Sequence, residues 1–138
     1  MNEPETIRTI LEKTKTIAVV GLSDNPSRAS NGVSRYMQRQ GYRILPINPK
    51  LTEVLGETAY ASLDAASAAR CPIELVDVFR APEFVPQIVK DLIRLKLPYL
   101  WLQEGVRHEE AAHMAEEAGV LVVMDRCLYQ EHARSSFG

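Results

Sequence analysis

Cysteine is scarce in this sequence. Cys71 and Cys127 are the two in 138 residues, too few for a disulfide framework and too far apart for a zinc or CxxC motif. They are read as reduced thiols, Cys127 as an inert one. Basic charge is not in excess either: 16 Lys and Arg stand against 18 Asp and Glu. A nucleic-acid partner, which needs a basic face, is therefore not expected. No apolar run approaches the roughly 20 residues of a membrane span. The opening Met1-Asn2-Glu3-Pro4-Glu5 is polar and acidic, unlike a signal peptide. The expectation is a cytoplasmic protein with no membrane partner. The histidines, His108, His113 and His132, show no ligand spacing, so no metal site is assigned. No nucleophile–base set stands out, so no catalytic residue is assigned and the reading leans away from an enzyme.

What is present is alternation. Pro4 to Thr14 reads as a helix with Ile7, Ile10 and Leu11 on one face. Thr16 to Val20 is a β-branched run that ends at Gly21, a buried strand. Ser30 is the expected N-cap of a helix running to Gln40, with Gly41 as its stop. Strands are expected at Tyr42–Ile47, Ile73–Phe79, Pro98–Gln103 and Val120–Met124. Helices are expected from Pro82, with Val85, Ile88, Val89, Leu92 and Ile93 as the buried stripe, and from Glu109 to Ala118. Leu55-Gly56 suggests a turn, Thr58 to Tyr60 an outlying strand, Ser62 to Arg70 a helical piece, and Cys127 to Arg134 a terminal helix. Nearly continuous apolar strands separated by helices predict an α/β fold: a doubly wound parallel sheet with helices on both faces, one domain over 1–138.

In such a sheet, ligands bind beyond the carboxyl ends of the strands, where strand order reverses. That selects four loops. The first, after Gly21, leads into a helix whose unpaired amides and positive dipole end suit an anion. Ser23, Ser27 and Ser30 add hydroxyls, and Arg28 adds a guanidinium able to fork onto phosphate. The segment G-L-S-D-N-P-S-R-A-S lacks the second glycine of G-x-G-x-x-G. The second strand ends in Asn48-Pro49-Lys50, where an NAD site would place an acidic residue on the ribose hydroxyls. A lysine there favours a phosphorylated ribose, as in coenzyme A (3′-phosphate) or NADP (2′-phosphate). Phe79-Arg80 ends the third strand and can flank an adenine or a pantetheine arm. Gln103 and Gly105, at the fourth, offer an amide contact and a close backbone approach.

Taken in order, the runs G-L-S-x-x-P-x-R, G-Y-R-I-L-P-I-N-P-K, L-V-D-V-F-R, L-W-L-Q-x-G-V and V-M-D-R-C-L-x-x-E-H resemble the small bacterial and archaeal CoA-binding protein family. They also resemble the CoA-binding domain of the succinyl-CoA synthetase α subunit. The resemblance spans about Ile17 to His132. It implies a Rossmann-like fold with CoA or an acyl-CoA across the strand ends. It places Gly21, Ser23, Pro26, Arg28 and Ser30 in the first ligand loop, and Asn48, Pro49 and Lys50 in the second. Val78, Phe79, Arg80 and Val85 belong to the third, and Gln103 and Gly105 to the fourth. The synthetase's ligase chemistry needs a second domain and a partner subunit that a chain ending at Gly138 does not reach, so what is implied is binding. Two other functions fit the same pocket: a small NADP-linked reductase and a CoA-sensing interaction protein. The residues specify no protein partner and leave monomer and homodimer open.

Overall fold

A computed structural model describes residues 1–135, so the last three residues of the expected 1–138 domain lie outside the described residues. Five parallel strands form the main sheet: β1 (Thr16–Val20), β2 (Arg43–Ile47), β5 (Leu75–Val78), β6 (Tyr99–Leu102) and β7 (Leu121–Met124). A two-residue hairpin, β3 (Glu53–Val54) and β4 (Glu57–Thr58), lies apart from it. The order β2-β1-β5-β6-β7 reverses direction between β1 and β5. This is the doubly wound arrangement the alternation implied, and it puts the switch point between those two strands.

The strands carry apolar residues on both faces because both faces are covered. One face presents Ala18, Val20, Leu45, Ile47, Val76, Val78, Leu100 and Leu102 to α3 (Leu63–Ala68), α4 (Val85–Arg94) and α5 (Glu109–Glu117). The other presents Ile17, Val19, Ile44, Leu75, Trp101 and Val123 to α1 (Pro4–Lys13), α2 (Ala29–Arg39) and α6 (Leu128–Arg134). Trp101, fully buried, donates its indole N–H to the Arg126 carbonyl at 2.9 Å. Asp77 breaks the apolar pattern on this second face and is considered with the site.

Several boundaries differ from the sequence reading, each for a local reason. The strand expected from Ile73 to Phe79 is confined to Leu75–Val78. The strand expected from Pro98 begins at Tyr99, since proline has no N–H to give the ladder. Pro46 sits inside β2, which tolerates it because β2 is the outermost strand. The Leu55-Gly56 turn has both central residues at positive φ (54° and 77°), as a tight two-residue hairpin requires. The expected outlying strand at Thr58–Tyr60 is split: Glu57–Thr58 pairs with Glu53–Val54, and Tyr60 bridges Ile47. Pro82 opens a 3-10 turn, Pro82–Phe84, rather than α4 itself. At the opposite side of the sheet, the Asn2 side chain donates to the Met124 carbonyl at 2.8 Å and accepts from the Met124 N–H at 2.7 Å. No helix among the described residues is long and apolar enough to cross a membrane.

Candidate functional site

The switch point opens where β1 runs into Gly21. Its φ of +90° and the Phe79 carbonyl oxygen, 2.6 Å from where a Cβ would lie, both exclude a side chain. The loop then turns inward at Leu22, which is fully buried and anchors it. Ser23 Oγ accepts from the Asn25 N–H, and Asn25 Oδ1 accepts from both the Ser27 N–H and Ser27 Oγ. The Ser27 hydroxyl is thus spent inside the loop.

Ser30 is not the cap expected of it. The helix starts at Ala29, with Arg28 in the extended cap position and no side-chain acceptor there. Ser30 is already in the first turn, buried, and its Oγ accepts from the Ser23 N–H at 3.0 Å. It ties helix to loop. Asn31 reinforces the tie by donating to the Ser23 carbonyl at 2.9 Å. The earlier start follows from the Asn25 turn, in which the Arg28 N–H bonds the Asn25 carbonyl at 3.0 Å.

The consequence is an open helix end. The amides of Ala29 and Ser30 stand too early in the helix for an intrahelical acceptor. By contrast, Ser62 caps α3 and His108 Nδ1 caps α5. Gly21, Ser23, Arg28, Ala29, Ser30 and Phe79 together line a cleft of about 400 Å³ at this end. A second cleft of about 160 Å³ adjoins the switch point from the other face. It is lined by Val20, Ile47, Pro49, Leu63 and Ile88, with Ser62, Arg80 and Asp91 supplying polar groups. Asn48 ties the second loop to the first by donating to the Leu22 carbonyl at 3.0 Å, and its Oδ1 accepts from the Lys50 N–H.

Arg94, Arg107, Arg126 and Arg134 all pair with carboxylates. Arg28, Lys50 and Arg80, like most other lysines and arginines among the described residues, have no such partner. Arg28 lines the first cleft and Arg80 the second, so each cleft has a guanidinium that can fork onto an anion.

Other expected residues lie elsewhere. Val78 and Val85 are fully buried in the core and line neither cleft. Pro26 is exposed and its carbonyl accepts from Arg35. Gly105 sits at the end of β6, where its N–H is given to Asp125 Oδ1 at 2.7 Å. The Gln103 amide is consumed within the fold: Nε2 donates to buried Asp77 Oδ1 at 2.6 Å, and Oε1 accepts from the Leu128 N–H at 3.4 Å. Burial pushes the Asp77 carboxyl up to about 7, opposed by the hydrogen bond from Gln103. The sequence reading missed Ser62, Ile88 and Asp91. The signal for Ser62 was the Ser62-Leu63-Asp64 helix start; Ile88 and Asp91 lie on α4, where Ile88 reads as a core residue. His108 caps a helix, His113 faces Glu116 at 3.5 Å, and His132 is buried with Nδ1 2.9 Å from the Tyr36 hydroxyl. Burial holds the His132 imidazole below its ordinary range. Both cysteines are free.

The likeness to known proteins extends over most of the chain. The sequence pattern of the CoA binding domain family matches residues 15–133. The chain belongs to that family. Within it, the chain is 43% identical over 127 residues to the protein YneT of Bacillus subtilis (strain 168), covering 92% of each. A solved hypothetical protein from Pyrococcus horikoshii OT3 is 38% identical, with a TM-score of 0.86, over 96% of this chain and 91% of that one. The dinucleotide-forming acetyl-coenzyme A synthetase 1 of Ca. Korarchaeum cryptofilum shares the fold. It has 20% identity and a TM-score of 0.68 over 80% of this chain, but only 26% of its own length.

Proposed function

We propose that the protein binds coenzyme A or an acyl-CoA across the carboxyl ends of β1, β2 and β5, as a binding module without chemistry of its own. The observation that carries this reading is the uncapped start of α2 facing a cleft that also holds Arg28. The pyrophosphate lies there, against the Ala29 and Ser30 amides and beside Arg28. The adenine takes the apolar second cleft beside Pro49 and Arg80. Lys50, exposed and without a carboxylate partner among the described residues, meets the ribose 3′-phosphate. The pantetheine arm leaves over Phe79 toward Gly105. Gln103, Val78 and Val85 act from below by holding the strand ends in place.

Two measurements test this. Native mass spectrometry of the purified protein should reveal a retained CoA or acyl-CoA. Calorimetry should show CoA binding more tightly than dephospho-CoA by tenfold or more, since charge-assisted contacts contribute about 1.5–3 kcal/mol. Equal affinity for the two would remove Lys50 from the site. Tighter binding of NADPH than of CoA would replace this function with a reductase.

A further inference from the structure

Phe84 is one of two large apolar residues exposed among those described, at 43%. It contributes nothing to either core cluster. Its ring instead lies under Arg80, whose guanidinium carbon is 3.9 Å from the ring centroid. The 3-10 turn makes this possible by bringing Phe84 back beneath the residue four positions earlier, closed by the Phe84 N–H on the Ala81 carbonyl at 2.9 Å. Before it reaches the ring the Arg80 side chain passes over Gly21, with Cδ 3.0 Å from where a Gly21 Cβ would stand. The Arg80 guanidinium is thus held by the Phe84 ring, and no carboxylate among the described residues takes the charge.

We infer that Phe84 is a positioning residue for ligand binding: its ring fixes the Arg80 guanidinium beside the switch-point cleft so that the planar N–H edge stays free for a ligand phosphate. A guanidinium stacked by its face keeps its donors in the plane, the direction in which it forks onto phosphate oxygens. A free arginine must give up side-chain entropy on binding, whereas one already stacked gives up less. The exposed ring is explained by the same role, since its place is set by the cation above it. This inference rests on the binding function proposed above and adds to it a residue outside the ligand loops.

The test is a coupled series with CoA as the probe: Phe84→Leu, Phe84→Tyr, Arg80→Ala and the double variant Phe84→Leu/Arg80→Ala. Phe84→Leu should weaken CoA about two- to fivefold, the equivalent of an exposed cation–π contact. Phe84→Tyr should keep wild-type affinity. In the Arg80→Ala background Phe84→Leu should have no further effect. Thermal stability should be unchanged, because the ring is outside the core. A second readout needs no ligand: the Arg80 side-chain N–H resonance should be displaced by the ring current in wild type and Phe84→Tyr, and return toward its free position in Phe84→Leu. If wild type binds CoA and Phe84→Leu binds it equally well, or weakens it equally with Arg80 absent, the positioning role is overturned while the binding function stands. If wild type binds no CoA, the binding function falls and this role with it.

Discussion

The Phe79 carbonyl oxygen occupies the space a side chain would need on Gly21, 2.6 Å from where the Cβ would lie. The opposing atom is backbone, fixed by the ladder bond from the Phe79 N–H to Val20, so it cannot swing aside. Gly21→Ala therefore meets both a clash and a positive φ. It should cost on the order of 2–4 kcal/mol of stability. Urea denaturation would read the loss, and CoA affinity should fall with it as the loop is displaced. An alanine variant as stable as wild type would show that the loop can open without cost.

Arg28 and Lys50 should behave in the opposite way. Both are exposed and unpaired among the described residues, so Arg28→Ala and Lys50→Ala should leave the melting temperature nearly unchanged, within about 0.5 kcal/mol. Each should weaken CoA about tenfold and flatten the dependence of affinity on salt. Val19→Ala is the control: fully buried in β1, it should cost about 1–3 kcal/mol without involving the ligand. A melt of each protein with and without CoA separates the two classes. Full wild-type stabilisation by CoA in both charge variants would move the ligand elsewhere.

Ser30→Ala should act on both stability and binding. It removes the acceptor for the Ser23 N–H and loosens the loop from α2. The expected loss is about 1–2 kcal/mol of stability, together with weaker binding of CoA. If Ser30 were only a ligand contact, stability in the absence of CoA would not change.

Asp77 makes stability depend on pH. An aspartate in an unfolded chain titrates near ~3.9, whereas burial pushes this one up to about 7. Between those values the folded protein holds a proton that the unfolded chain has released. The contribution is therefore full below the unfolded value and is lost as pH rises through about 7. Asp77→Asn, which can still accept the hydrogen bond from Gln103, should be more stable relative to wild type at about pH 8 than at about pH 5, by on the order of 1–3 kcal/mol. Denaturation curves for both proteins at the two pH values would decide it. Parallel slopes would mean that Asp77 does not titrate in this range.

The layered sheet was legible because its cause is local. Runs such as Thr16–Val20 and Leu121–Met124 are apolar on both sides, and only a strand covered on both faces uses such a run. The loops that follow the strands were legible for a geometric reason, since each begins where an apolar run ends. What escaped depends on which side chain meets which, near or far along the chain. Ser30 reads as a cap until Ser23 takes its oxygen. Gln103 reads as a ligand contact until Asp77, 26 positions earlier, takes its amide. Phe84 reads as an ordinary helix-start residue until Arg80 lies over it. Hydrophobic periodicity does not encode any of these.

The two outer strands of the sheet share one further property. Beside β2, Tyr60 gives its N–H to Pro46 and takes that of Asn48, and Pro46 itself has no N–H to offer. Beside β7, the Asn2 amide imitates a neighbouring backbone, engaging both polar groups of Met124, while the Asn2 N–H reaches the Val122 carbonyl at 3.4 Å. An unprotected outer strand is a template on which another chain can add a strand, the first step of edge-to-edge aggregation. Here a proline, a tyrosine and a single asparagine side chain interrupt that template on both flanks, so self-association by sheet extension is disfavoured without a covering helix on either side.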